Sequence, residues 1–187
     1  MLATVSFRSP EFHPPPRLTA QPAARSDDST SRSPQSVRYP AAMDICERII
    51  KARDEGSSVV RIEVMVGGSP EAAAERFGLG KTAAHREISE EEAKAVLCAV
   101  LVEDMAYSSP IVPPSEARGL ATEFVRSFQD ENARYFTNAT WKSPRANGRD
   151  GTLDMGSWSP ASPHTFDSGI LVLTSSRIGC AWFMDED

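Results

Sequence analysis

The sequence predicts an α+β domain, about four helices packed on a small, mainly antiparallel sheet that ends in a C-terminal hairpin. Three observations carry this prediction. Apolar residues recur at helical spacing in several stretches between Asp44 and Phe128. Val59 to Val66 alternates as a strand does. Gly169 to Thr174 and Ile178 to Met184 are nearly continuous apolar runs separated by Ser175, Ser176 and Arg177, the spacing of two paired strands joined by a three-residue turn. Helices first and paired strands last is the order of an α+β fold. Runs that are apolar at successive positions bury both faces, so the hairpin belongs inside the protein, with Asp185, Glu186 and Asp187 emerging as an acidic tip.

The chain divides at Met43. Residues 1–42 hold seven of the 14 prolines, among them Pro14, Pro15 and Pro16, together with seven serines, and are expected to form a disordered Pro/Ser-rich tail. That composition also suits a transit peptide or a secretion leader. Sequence lying upstream of a start at Met43 is the preferred explanation. Residues 43–187 are expected to form a single domain, since 187 residues suffice for one ordinary domain plus a tail.

The elements follow in order. Ile45, Ile49 and Ile50 lie on one side of a short helix that starts at Asp44 and stops before Gly56. Val60, Ile62, Val64 and Val66 then face one way on a half-exposed strand, with Arg61 and Glu63 facing the other. Ser69 caps the next helix and Pro70 takes its first position, before Gly78 ends it. Ser89 and Glu92 form a capping box ahead of the most apolar helix, the expected centre of the fold. Ser115 is read as the cap of a second amphipathic helix with Ala117, Leu120, Ala121, Phe124, Val125 and Phe128 on one face. Arg134 to Lys142 reads as one strand and Ser143 to Gly156 as a long polar loop.

The composition narrows the function classes. The excess charge is −6 overall, but residues 43–187 hold 15 basic against 23 acidic side chains. Such a domain repels nucleic acid and attracts basic partners; a solvated surface kept for solubility explains the same excess. Cys46, Cys98 and Cys180 are far apart and never form a C-x-x-C pair, so they read as reduced core thiols in a cytoplasmic protein, with no structural metal and no cofactor expected. No stretch approaches the roughly 20 apolar residues of a membrane span.

Two motifs compete around Gly80. Gly78-Leu79-Gly80-Lys81-Thr82 ends like a phosphate-binding loop, but Glu75 stands where that loop needs its first glycine. Ala73 to Leu79 followed by Lys81 to Arg86 resembles the helix-turn-helix of DNA-binding transcriptional regulators. That resemblance places Lys81, Thr82, His85 and Arg86 toward a major groove, while the following acids Glu87, Glu90, Glu91 and Glu92 oppose the phosphate contacts. Asn138-Ala139-Thr140 matches a glycosylation acceptor by chance. No G-x-S-x-G elbow or ordered Ser, His and Asp set is present, so no catalytic residues are assigned and the protein is read as non-enzymatic.

The stretch from Glu90 to Asp187, with Tyr135-Phe136-Thr137-Asn138, Trp141, Ser157-Trp158-Ser159-Pro160, Thr165 to Ile170 and Trp182 to Asp187, resembles small bacterial immunity-type proteins. The resemblance implies an acidic protein of a toxin-antitoxin kind that binds and blocks a basic toxin without catalysis. Its contact surface is then expected at Asp185, Glu186 and Asp187 with Trp141 and Trp158.

Overall fold

A computed structural model describes residues 44–142 and 153–186. The expected tail over 1–42, most of the expected loop after Lys142, and Asp187 lie outside the described residues.

Helix α1, Ile45–Ala52, starts where the Asp44 carboxylate accepts the Cys46 amide at 3.2 Å, and it buries Ile45, Cys46 and Ile49. Ile50, expected on the buried side, is 44% exposed, because it sits at the margin of the arc that Ile45, Cys46 and Ile49 define. Gly56, at φ +70°, turns the chain into strand β1, Ser57–Val64. Helix α2, Pro70–Arg76, has the predicted ends: Ser69 Oγ accepts the Ala72 amide at 3.2 Å and proline occupies the first turn. A single 3-10 turn, Lys81–Ala84, and the short strand β2, Arg86–Ile88, follow.

Helix α3, Glu90–Val102, carries the expected capping box, and every residue from Val96 to Val102 is buried. No surface helix is apolar all round, and α3 is accordingly the central one. Helix α4 spans Pro114–Arg126 and corrects the cap assignment. Pro113 is its N-cap and Pro114 its first residue, with no side-chain cap, so Ser115 lies one position inside. Pro114 has its φ preset and no N–H to satisfy, which removes part of the need for a cap.

The run expected as one strand breaks at Asn138 into β3, Arg134–Thr137, and β4, Ala139–Lys142. Strand β5, Asp154–Trp158, begins inside the stretch expected to be loop. The hairpin is present as β6, Phe166–Leu173, and β7, Arg177–Asp185, paired antiparallel from Phe166 opposite Asp185 to Leu173 opposite Ile178. The main sheet runs β1-β7-β6-β3-β2, and β4 with β5 forms a separate two-stranded ribbon. Among the described residues the architecture is therefore α+β, with four α-helices and a five-stranded sheet whose pairings are all antiparallel.

Alternation along β6 and β7 divides the interior into two layers. Ile170, Val172, Ala181 and Phe183 face α1, α3 and α4, while Leu171, Leu173, Cys180 and Trp182 face α2, the 3-10 turn and Ala161. Gly179 shows why that position takes no side chain: a Cβ there would stand 2.0 Å from Phe128 Cζ, at the end of α4. The three cysteines are free and buried, as expected of core thiols, and burial pushes the Cys46 thiol up to about 11.

Candidate partner-binding surface

The acidic end of β7 divides into one buried and one exposed carboxylate. Asp185, expected at the tip, is 5% exposed and holds Arg53, itself 2% exposed, through hydrogen bonds of 3.0 and 2.7 Å to its two oxygens. Arg53 also donates to Val100 O and Glu55 O, and the Met105 amide donates to Asp185 at 2.8 Å. The guanidinium lies 4.7 Å over the Phe183 ring. This cluster joins the end of α1, the last turn of α3 and β7, so Asp185 is a core residue and is withdrawn from the expected contact set. The correction follows from strand length: β7 continues to Asp185, opposite Phe166, so the side chain there is carried inside.

Glu186 is exposed and turns outward, where it meets the His164 ring and accepts the Thr165 hydroxyl at 3.0 Å. The hydrogen bond from His164, then that from Thr165, holds its carboxyl below the usual glutamate range. Asp187 lies outside the described residues.

Beside Glu186 the surface opens into a cavity of about 360 Å³ lined by Glu55, Asp104, Tyr107, His164, Asp185 and Glu186, among others. Tyr107 stands at this cavity 70% exposed. Its loop is fixed by one carboxylate. Asp104 accepts the amides of Ala106 at 3.0 Å, Tyr107 at 2.6 Å and Ser109 at 2.6 Å, and its own amide donates to Ser109 O. Ser108 takes the left-handed conformation, φ +55°, that closes the turn. Partial burial pushes the Asp104 carboxyl up, but the amide hydrogen bonds outweigh it and hold it below the usual range. A rigid loop thus displays an aromatic ring beside carboxylates that stay ionised.

The tryptophans lie elsewhere. Trp158 is half-buried and stacks on Phe166, centroids 5.4 Å apart, beside a cleft of about 240 Å³ that it lines with His85, Arg86 and Thr140. Trp141 packs against the helical layer, where it borders a groove of about 330 Å³ with Ile88, Val96 and Leu153. Neither lines the cavity at Glu186, so the expected acidic and aromatic residues do not form one described patch.

The expected second helix of a helix-turn-helix is only the four-residue 3-10 turn, with Ala83 fully buried against the sheet layer. Thr82 donates to Pro160 O at 2.6 Å, Lys81 lies 3.7 Å from Glu75 and Arg86 lies 3.8 Å from Glu92. One turn provides no length of helix to lie in a major groove. The Gly80 amide donates to Ala161 O at 2.7 Å, so it is engaged rather than presented to a phosphate. Asn138 is 1% exposed and its side-chain amide donates to Ser159 O and to Asp167, which removes it as a glycosylation acceptor.

Sequence reasoning missed Arg53, Asp104 and Tyr107. Asp104 had a signal, an aspartate ahead of Ser108-Ser109-Pro110, which is turn chemistry. Tyr107 had none, since a single exposed ring leaves no periodic trace.

No known family, curated protein or solved structure matches the chain. No helix among the described residues is long and apolar enough to cross a membrane.

Proposed function

We propose that the protein is a non-enzymatic binding module, immunity-like, that engages a basic protein toxin through the surface around Tyr107 and Glu186. The observation that supports this reading is the Asp104-fixed loop, which holds an exposed tyrosine beside Glu55 and Glu186. An aromatic anchor of two side-chain torsions loses little entropy on docking, and its face receives a lysine or arginine of the partner while the carboxylates steer the approach. The acidic excess over residues 43–187 extends that steering field.

The test is binding to the product of the neighbouring reading frame, because a protein of this kind is normally encoded beside its target. Association is expected to be fast and to slow with added salt. Glu186→Gln with Glu55→Gln should lower the association rate several-fold at low salt, and Tyr107→Ala should weaken affinity by about tenfold or more, mainly through faster dissociation. Since hydrogen bonds hold the Glu186 and Asp104 carboxyls below the usual carboxylate range, their share of the rate should outlast acidification to the ordinary glutamate value of about 4.3 and be lost below it. Binding indifferent to all three substitutions would remove this surface from the interface.

A further inference from the structure

We infer that β1 is an interaction edge for a second copy of this chain, the two β1 strands pairing antiparallel about Ile62 to join the two sheets. Among the described residues β1 pairs with β7 alone and ends the strand order. An open edge of eight residues is a template for another strand, and proteins that keep one monomeric guard it with charge, proline or a covering element. Among the described residues no strand pairs on that side and β1 holds no proline; its charges are Arg61 and Glu63, and beyond them Val64 is 74% and Val66, two residues past the strand, 83% exposed.

The backbone faces the right way. The Met65 amide donates to Ser176 O, at 3.1 Å, on the β7 side. Backbone groups alternate sides in an antiparallel ladder, so the N–H and C=O groups of Val60, Ile62 and Val64 point away from β7.

The side chains select the register. With Ile62 opposite its own copy, Arg61 stands opposite Glu63 of the second copy and Glu63 opposite Arg61 of the second copy. The exposed Val64 stands opposite Val60, which its own chain buries, and the exposed Val66 lies two residues past the strand, level with Ser58. Centring the pair on Arg61 or on Glu63 would instead set like charges against each other, which directly opposed strands disfavour. Glu63 already bonds Arg76 at 2.6 Å, whereas Arg61 is exposed and has no ion-pair partner among the described residues. Pairing supplies that partner twice.

Sedimentation of the full chain tests this. A dimer is expected at micromolar concentration. Arg61→Glu opposes two glutamates at both symmetry-related positions, and should raise the dimer dissociation constant by about tenfold or more. Glu63→Arg should do the same by opposing arginines. An equimolar mixture of the two variants should recover the dimer, since each then meets the opposite charge, which also shows that both are folded. A monomeric full chain, the result if another part of this chain covers the edge, overturns the proposal. So does a dimer insensitive to both substitutions, or a mixture that stays monomeric.

Discussion

Arg53 and Asp185 are a charged pair carried into a helix–sheet junction, and their geometry decides what happens when either is changed. The guanidinium donates to both Asp185 oxygens and to two carbonyls, and Asp185 also receives the Met105 amide. Removing one member leaves the other buried and without its ion-pair partner. Arg53→Met should therefore cost about 3–5 kcal/mol in urea denaturation, while Arg53→Met with Asp185→Leu should recover most of that loss. Equal losses for the single and double variants would mean that the apolar pair does not fit the space. Gly56 belongs to the same cluster: a Cβ there would meet Asp185 Oδ1 at 2.6 Å and Met184 O at 2.7 Å, so the turn into β1 is shaped around this carboxylate.

At the scale of elements, the Ser89–Glu92 box sets the start of α3. Ser89 Oγ accepts the Glu92 amide at 3.2 Å and the Glu92 carboxylate accepts the Ser89 amide at 2.9 Å. That backbone hydrogen bond, then the Ser89 hydroxyl, holds the Glu92 carboxyl below its usual range. A lowered folded value means that the stabilisation is present above the ordinary glutamate pKa of about 4.3 and is lost as pH falls through the folded one. Ser89→Ala should cost about 1 kcal/mol and move the Glu92 midpoint upward in a carboxylate NMR titration. An unmoved midpoint would show that the hydroxyl does not contribute.

Boundaries marked by local chemistry were legible in the sequence: Asp44, Ser69 with Pro70, the capping box, and the β6–β7 pair. What was not legible depended on partners distant in sequence. Strand β3 and ribbon β4–β5 separate at Asn138 because its side chain is needed inside, donating to Asp167 and accepting the Ser168 hydroxyl at 2.7 Å. Nothing local in the sequence marks Arg53, since its partner lies 132 positions away. In the sequence the acidic tip stands as a unit, but strand alternation sends Asp185 in and Glu186 out. Of the residues lining the cavity, the sequence points to Asp185 and Glu186, and of these two only Glu186 is exposed.

On the scale of the whole molecule, β7 is the strand on which the sheet depends. It pairs over eight of its nine residues with β6 on one side and over eight with β1 on the other. The β6 pairing is local, whereas the β1 pairing joins Ser57 to Met184 across nearly the whole domain. Long-range closure of this kind slows folding, so refolding from urea is expected on the millisecond-to-second timescale, with β1 amides gaining exchange protection together with those of β7. Microsecond refolding, or β1 protection ahead of β7, would contradict that dependence.

The position of β7 has a consequence for biosynthesis. Strand β1 is synthesised more than a hundred residues before its intramolecular partner, a wait on the order of ten seconds at ordinary elongation rates. Throughout that interval the segment from Ser57 to Val66 is extended-prone, apolar and unpaired on both sides. On a polysome, several such segments hang close together. The yield on expression is therefore expected to respond to the supply of holding chaperones more than the folded stability would imply, which co-expression with and without such a chaperone checks.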